Sequence, residues 1–160
     1  MENTIDYTII SESHRKVIHR LLDYFERHCI EYQFTGGLAG NLFGSLWKLQ
    51  DIDIEVHLEN LYTIENAFKP FIVNTVHRYS DDEFEIWLLQ LNIENIDIDI
   101  NAVEDFIIKP NIEIETYIEN AVNIQFENRV VKVQPLQDII AYKKLLERDK
   151  DLQELTQLTE

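Results

Sequence analysis

Two aspartates separated by one isoleucine, Asp51 and Asp53, follow the glycine pair Gly36-Gly37 after thirteen intervening residues. The segment reads F-T-G-G, a spacer, then D-I-D-I-E-V. Side chains alternate faces along a β-strand, so both carboxylates point one way while Ile52 and Ile54 point into a core. Residues i and i+2 lie roughly 6–7 Å apart along a strand, within joint reach of one hard divalent cation. Oxygen-only ligation suits Mg2+, which keeps several waters and bridges to substrate phosphates. The pattern therefore predicts metal-dependent phosphoryl-transfer chemistry.

A second alternating run, I-D-I-D-I at 96–100, supplies Asp97 and Asp99 on one face and Ile96, Ile98 and Ile100 on the other. One such strand is an ordinary feature of a sheet with one wet face. Two of them beside a glycine pair are more specific, because carboxylates crowded together without a cation must face water or take up protons. Parity alone does not separate Asp97 from Asp99.

The elements that position these residues are legible in outline. A helix is expected over 12–30, with Val17, Ile18, Leu21, Leu22 and Phe25 on its apolar face and Ser11 as cap. A short strand at 32–34 runs into the glycine turn, and a helix over 38–48 follows it. Strands are expected at 51–58, 71–79, 84–92 and 96–100, with a helix at 61–69 ending before Pro70. Residues 113–121 read as helical. A hairpin turns at Glu127-Asn128, and helices cover 136–146 and the stretch with Leu152, Leu155 and Leu158. Together these predict an α+β fold with a mixed central sheet of about five strands, helices packed mainly on one side, and one domain over 1–160.

Composition narrows the setting. The 160 residues are 45% hydrophobic and 28% charged, ordinary for a globular chain. Fourteen basic residues against 30 acidic give a net charge of −16, the opposite of a nucleic-acid binder's basic footprint. Such a field attracts cationic small molecules or basic proteins. No apolar run is long enough for a membrane span, the first residues lack a leader pattern, and the single Cys29 has no partner for an internal disulfide. The expected compartment is the cytoplasm. Cys29 is expected in the core, Trp47 and Trp87 as packing residues, and His14, His19 and His28 at the surface. Glu55 and His57 continue the Asp51 face, and Glu55 is expected in solvent, with support of a metal ligand as the alternative. A basic cluster of Lys143, Lys144, Arg148 and Lys150 breaks the acidic trend, with Asp151 as its structural partner.

The arrangement hydrophobic-Gly-Gly, spacer, Asp-hydrophobic-Asp-hydrophobic resembles the signature of the polymerase-β-like nucleotidyltransferase superfamily. It is carried here by Gly36, Gly37, Asp51, Ile52, Asp53 and Ile54. The ending V-Q-P-L-Q-D-I-I-A-Y-K-K-L-L-E-R-D-K-D is similar to that of small bacterial members, with a lysine-bearing helix and an Arg-x-Lys-Asp element. The resemblance implies transfer of a nucleoside monophosphate from a nucleoside triphosphate to an acceptor hydroxyl, with two Mg2+ ions held by three carboxylates. It implies that Asp51, Asp53 and a third acid, Asp99 or Asp97, are ligands, with the third acid also helping to deprotonate the acceptor. Gly36 and Gly37 would let phosphate approach backbone amides, and Lys143 would reach a β- or γ-phosphate. The implied acceptor is a cationic small molecule, such as an aminoglycoside-like antibiotic, or a protein. The alternative is a fold of this type that binds but does not turn over, in an antitoxin-like or regulatory role. Gly37 stands where serine is common and Leu49-Gln50 where a small hydroxyl residue or arginine is, which bears on nucleotide affinity more than on chemistry.

Overall fold

The computed structural model describes residues 5–146 and 148–158, with the side chains of Asp149 and Lys150 outside that set. Residues 1–4, 147, 159 and 160 of the expected domain, and the Lys150 side chain of the basic cluster, lie outside the described residues. The elements run α1 (Glu12–Arg27), β1 (Tyr32–Thr35), α2 (Gly36–Phe43), β2 (Ile52–Val56), α3 (Leu58–Ala67), β3 (Ile72–Ser80), β4 (Phe84–Ile93), β5 (Ile96–Ala102), β6 (Phe106–Ile108), β7 (Ile112–Ile114), β8 (Val122–Phe126), β9 (Arg129–Val133), α4 (Leu136–Leu145) and α5 (Asp149–Gln157).

One sheet contains all the strands among the described residues, in the order β7-β6-β4-β5-β2-β1-β9-β8, with β3 on the free side of β4. It is mixed: β2 pairs β5 in parallel, as β1 does β9, and the remaining pairs are antiparallel. The isoleucine face is the core. Ile52, Ile54, Val56, Ile98 and Ile100 are fully buried there, with Val17, Ile18, Leu21, Leu22 and Phe25 of α1 and Leu61 and Ile64 of α3 in the same cluster. A smaller apolar cluster of Ile86, Leu88, Phe106 and Ile108 meets Tyr142 and Leu146.

Four expectations are corrected. The sheet has nine strands rather than about five, because the β8–β9 hairpin joins it beside β1 and because it also holds β6 and β7, three residues each and too short to show a period of two. The helix expected over 113–121 is replaced by β7 and a single turn at Ile118–Asn120, since β-branched Ile112 and Ile114 pair with Ile108 and Phe106. The strand expected to reach Leu58 stops at Val56, where Glu104 accepts a 2.6 Å bond from the Leu58 amide and caps α3. Cys29 is exposed rather than in the core, because the chain leaves α1 through a left-handed turn at φ 52° there.

The helix after the glycine pair covers 36–43 instead of 38–48, closed by Gly44. Trp47 then folds back across it, donating from Nε1 to the Gly37 carbonyl at 3.1 Å. A Cβ at Gly40 would stand 2.2 Å from Trp47 Cζ2. Gly40→Ala gains about 1 kcal/mol of helix propensity but overpacks a rigid ring, at a cost of about 1–3 kcal/mol. A net loss of about 1 kcal/mol, read as a lower thermal midpoint with altered Trp47 fluorescence, is the expected result.

Candidate active site

Strand register assembles the acids. Thr35 pairs laterally with Asp53, Asp53 with Asp99, and Asp99 with Gln90, giving one row of cleft-facing side chains across β1, β2, β5 and β4. Directly beneath runs a second row: Gln33, Glu55, Asn101 and Leu88. Neighbouring strands are about 4.8 Å apart, so Asp53 and Asp99 are side-by-side neighbours. Asp51 sits at the bend before β2, and its carboxyl is pushed up by partial burial and by Asp99 and Asp97. Asp97 pairs instead with Asn92, which donates to its Oδ1 at 2.9 Å in an exposed setting.

The row faces a cleft of about 830 Å3 between the sheet, α4 and residues 112–117, within the range of ligand-binding pockets. Gly36, Gly37, Asp53 and Asp99 line it, as do Lys143 and Arg148. Gly36 opens α2 at φ +58°, and a Cβ there would be 2.3 Å from Asp53 Oδ2. Backbone and carboxylate thus meet without room for a side chain. The first turn of α2 holds no acid and its cap residue Thr35 makes no side-chain capping bond, so the amides and their partial positive charge are left to an anion.

Asp53 makes no side-chain hydrogen bond among the described residues. Burial, then Asp99 and Asp51, push its carboxyl up from 3.8 to about 7, opposed by Lys143 and Arg148. Lys143, its side chain 11% exposed, bonds Asp151 at 2.9 Å, the partnership expected for Asp151. Arg148 pairs with Glu83 at 3.2 Å. Among the described residues no three His, Cys, Asp or Glu side chains converge closely enough to hold a metal ion as they stand. The donor set still fits one. Hard carboxylate oxygens crowd together and repel, and Asp53 lacks any donor, which is the deficit a divalent cation fills.

Glu55 corrects an expectation: it is 4% exposed rather than solvated. Gln33 and Asn101 donate to its two oxygens at 2.9 and 3.2 Å, and burial raises its pKa. The histidines on and beside α1 are exposed or half-buried: His14 contacts the Gln50 carbonyl at 2.6 Å and His19 pairs with Glu127 at 2.9 Å. His57 lies between Glu104 and Glu31, and Glu104 is the main cause of its raised pKa. Trp47 and Trp87 pack against the main core cluster.

No protein-family model matches the sequence, and no curated protein does. Solved structures do. The chain superposes on the crystal structure of a "putative nucleotidyltransferase" from Thermotoga maritima with a TM-score of 0.76 and 19% identity, covering 92% of each chain. The fold is that of the nucleotidyltransferases. A second match is ANT(2″)-Ia in complex with adenylyl-2″-tobramycin, with a TM-score of 0.60 and 12% identity over 92% of this chain and 90% of that one. At such identities the likeness is one of fold, and residue roles rest on this chain's own geometry.

Within that nucleotidyltransferase fold, Asp53, Asp99, Gly36, Gly37 and Lys143 line one cleft, whereas Asp97 does not, and Asp51 stands outside the lining at the bend before β2, close enough to feel the charge of Asp99. Thr35, Gln90 and Asn101 also face it and escaped the sequence reading. Their signal was lateral pairing with an acid, which appears only once strand order is known. No helix among the described residues is long and apolar enough to cross a membrane.

Proposed function

We propose that this chain is a Mg2+-dependent nucleotidyltransferase that moves a nucleoside monophosphate from a nucleoside triphosphate to a hydroxyl of a cationic acceptor. The observation that carries this is the lateral pairing of Asp53 with Asp99 beside the Gly36 opening of α2. Asp51, Asp53 and Asp99 would hold the metal, which when bound supplies charge neutralisation at the transferring phosphate and Lewis acidity.

The chain's own groups do the rest. Amides at Gly36 and Gly37 cradle the triphosphate, with the Thr35 hydroxyl in reach where serine at 37 is missing. Lys143 offsets charge on the departing pyrophosphate. Asp99 takes the proton of the acceptor hydroxyl as its oxygen bonds the α-phosphorus and the bond to the β-phosphate oxygen breaks. Preorganised groups of this kind lower the barrier because they need no rearrangement as charge develops.

Three features support a cationic acceptor: the −16 net charge, the carboxylates Glu113 and Glu115 on the cleft wall, and the adenylyl-2″-tobramycin bound to a fold neighbour. A basic protein is the other acceptor class the field favours, and nucleic acid is disfavoured. The proposed setting is the cytoplasm. Incubation with α-labelled nucleoside triphosphates, Mg2+ and aminoglycosides or basic proteins tests the reading. Label retained on an acceptor, and lost in Asp53→Ala, is expected. Nucleotide binding without product would instead indicate a module that does not turn over, and free phosphate a hydrolase. Lys143→Met should raise the KM for nucleoside triphosphate roughly tenfold to hundredfold, the worth of a charge-assisted hydrogen bond.

A further inference from the structure

We infer that Asn74 and Gln90 form a two-amide relay that sets the orientation of Asp99, which makes Gln90 a positioning residue of the site. The inference rests on the reading of Asp99 as a member of the cation and phosphate site. Asn74 on β3 donates from Nδ2 to Gln90 Oε1 at 2.7 Å. Gln90 on β4 donates from Nε2 to Asp99 Oδ1 at 3.0 Å. The row of paired residues therefore extends outward by one further strand, from the cleft to the sheet edge.

The polarity of this chain is forced. An ionised carboxylate only accepts, so Gln90 must turn its NH2 toward Asp99 and present its oxygen to the other side. Asn74, pointing its own NH2 there, holds Gln90 in that orientation. One oxygen of Asp99 is thereby occupied, its side-chain torsion is held, and the other oxygen is left for the cleft. Asp53, its neighbour, has no such support. A carboxylate fixed from behind loses less freedom when a cation arrives. Asp97, on the same face of β5, has only an exposed single-amide partner and does not line the cleft. Asp99 differs from it in both respects.

An isosteric change at the exposed end of the relay tests this. The carboxylate introduced by Asn74→Asp can only accept, so it draws the Gln90 NH2 toward itself and turns Gln90 Oε1 against Asp99. Mn2+ binding to the full-length protein, followed by the electron paramagnetic resonance of free Mn2+, is expected to weaken about tenfold or more. Gln90→Met, which removes the donor at similar volume, should weaken it comparably. Asn74→Ala, which removes the donor that holds Gln90 but leaves Asp99 to orient it, should weaken it by a smaller factor. A simple charge effect has the opposite sign, because an added carboxylate attracts Mn2+. Thermal midpoints near wild type establish that the variants are folded. Wild-type or tighter Mn2+ binding in folded Asn74→Asp, or unchanged binding in folded Gln90→Met, overturns the relay and leaves the acidic site standing. Absence of Mn2+ binding in the wild type overturns both.

Discussion

Asp53→Asn is expected to abolish nucleotidyl transfer and, at the same time, to raise the thermal midpoint of the protein above neutral pH. Both effects follow from one cause. The Asp53 carboxyl is pushed up to about 7 by burial, then by Asp99 and Asp51. Between its ordinary value and that figure, the folded state holds a proton that the unfolded state has released. Stability therefore falls as pH rises through this window, and the loss is complete above about 7. Asparagine carries no charge at any of these values, so the variant escapes the loss. At about pH 4 or below the two proteins should melt together, and at about pH 8 the variant should melt higher. Mg2+ should raise the wild-type midpoint at the higher pH and leave the variant unmoved, because the ion substitutes for the proton. The rate of label transfer should fall about a thousandfold or more, the equivalent of several kcal/mol of lost charge stabilisation. Parallel melting curves at both pH values, or surviving transfer, would refute the assignment of Asp53.

Gly36→Ala is expected to be the next most damaging change at the site, for its size. The position has φ +58°, and the new methyl would sit 2.3 Å from Asp53 Oδ2. The left-handed backbone costs alanine roughly 1–2 kcal/mol, and the contact must be relieved by displacing the carboxylate. A shift on the order of 1 Å in a group that aligns reactants is worth about a hundredfold in rate. Gly37→Ser is the matched control. A Cβ there meets Trp47 Nε1 at an ordinary 3.5 Å, so the protein should keep its stability and its transfer rate. A Gly36→Ala protein with undiminished transfer would show that the close approach of backbone and carboxylate is incidental.

Much of this site could be read before any coordinates, and the reasons are local. The alternation in β2 and β5 is a period of two imposed by a sheet with a greasy face and a wet one. The α1 stripe and the hairpin at Glu127-Asn128 are likewise short-range patterns. What escaped the reading depends on partners distant in sequence. Asp97 and Asp99 have the same parity, and only the parallel register with β2 puts Asp99 opposite Asp53. Glu55 looked like one more solvated acid, yet amides from β1 and β5 satisfy both its oxygens within the cleft floor. The β6–β7 pair consists of strands too brief to declare themselves, and its expected helix was overruled by cross-strand pairing.

The division of β2 and β5 into an isoleucine face and an acidic face has a corollary for how this protein can change. Deleting or inserting one residue within 52–56 or 96–102 would send isoleucines into the cleft and aspartates into the interior, so length there is effectively immutable. Exchanging a single cleft-facing residue leaves the opposite face untouched. Sequence drift through this region should consequently proceed by replacement without gaps, and a laboratory search for new acceptors can vary one face of the sheet while the other keeps the molecule folded.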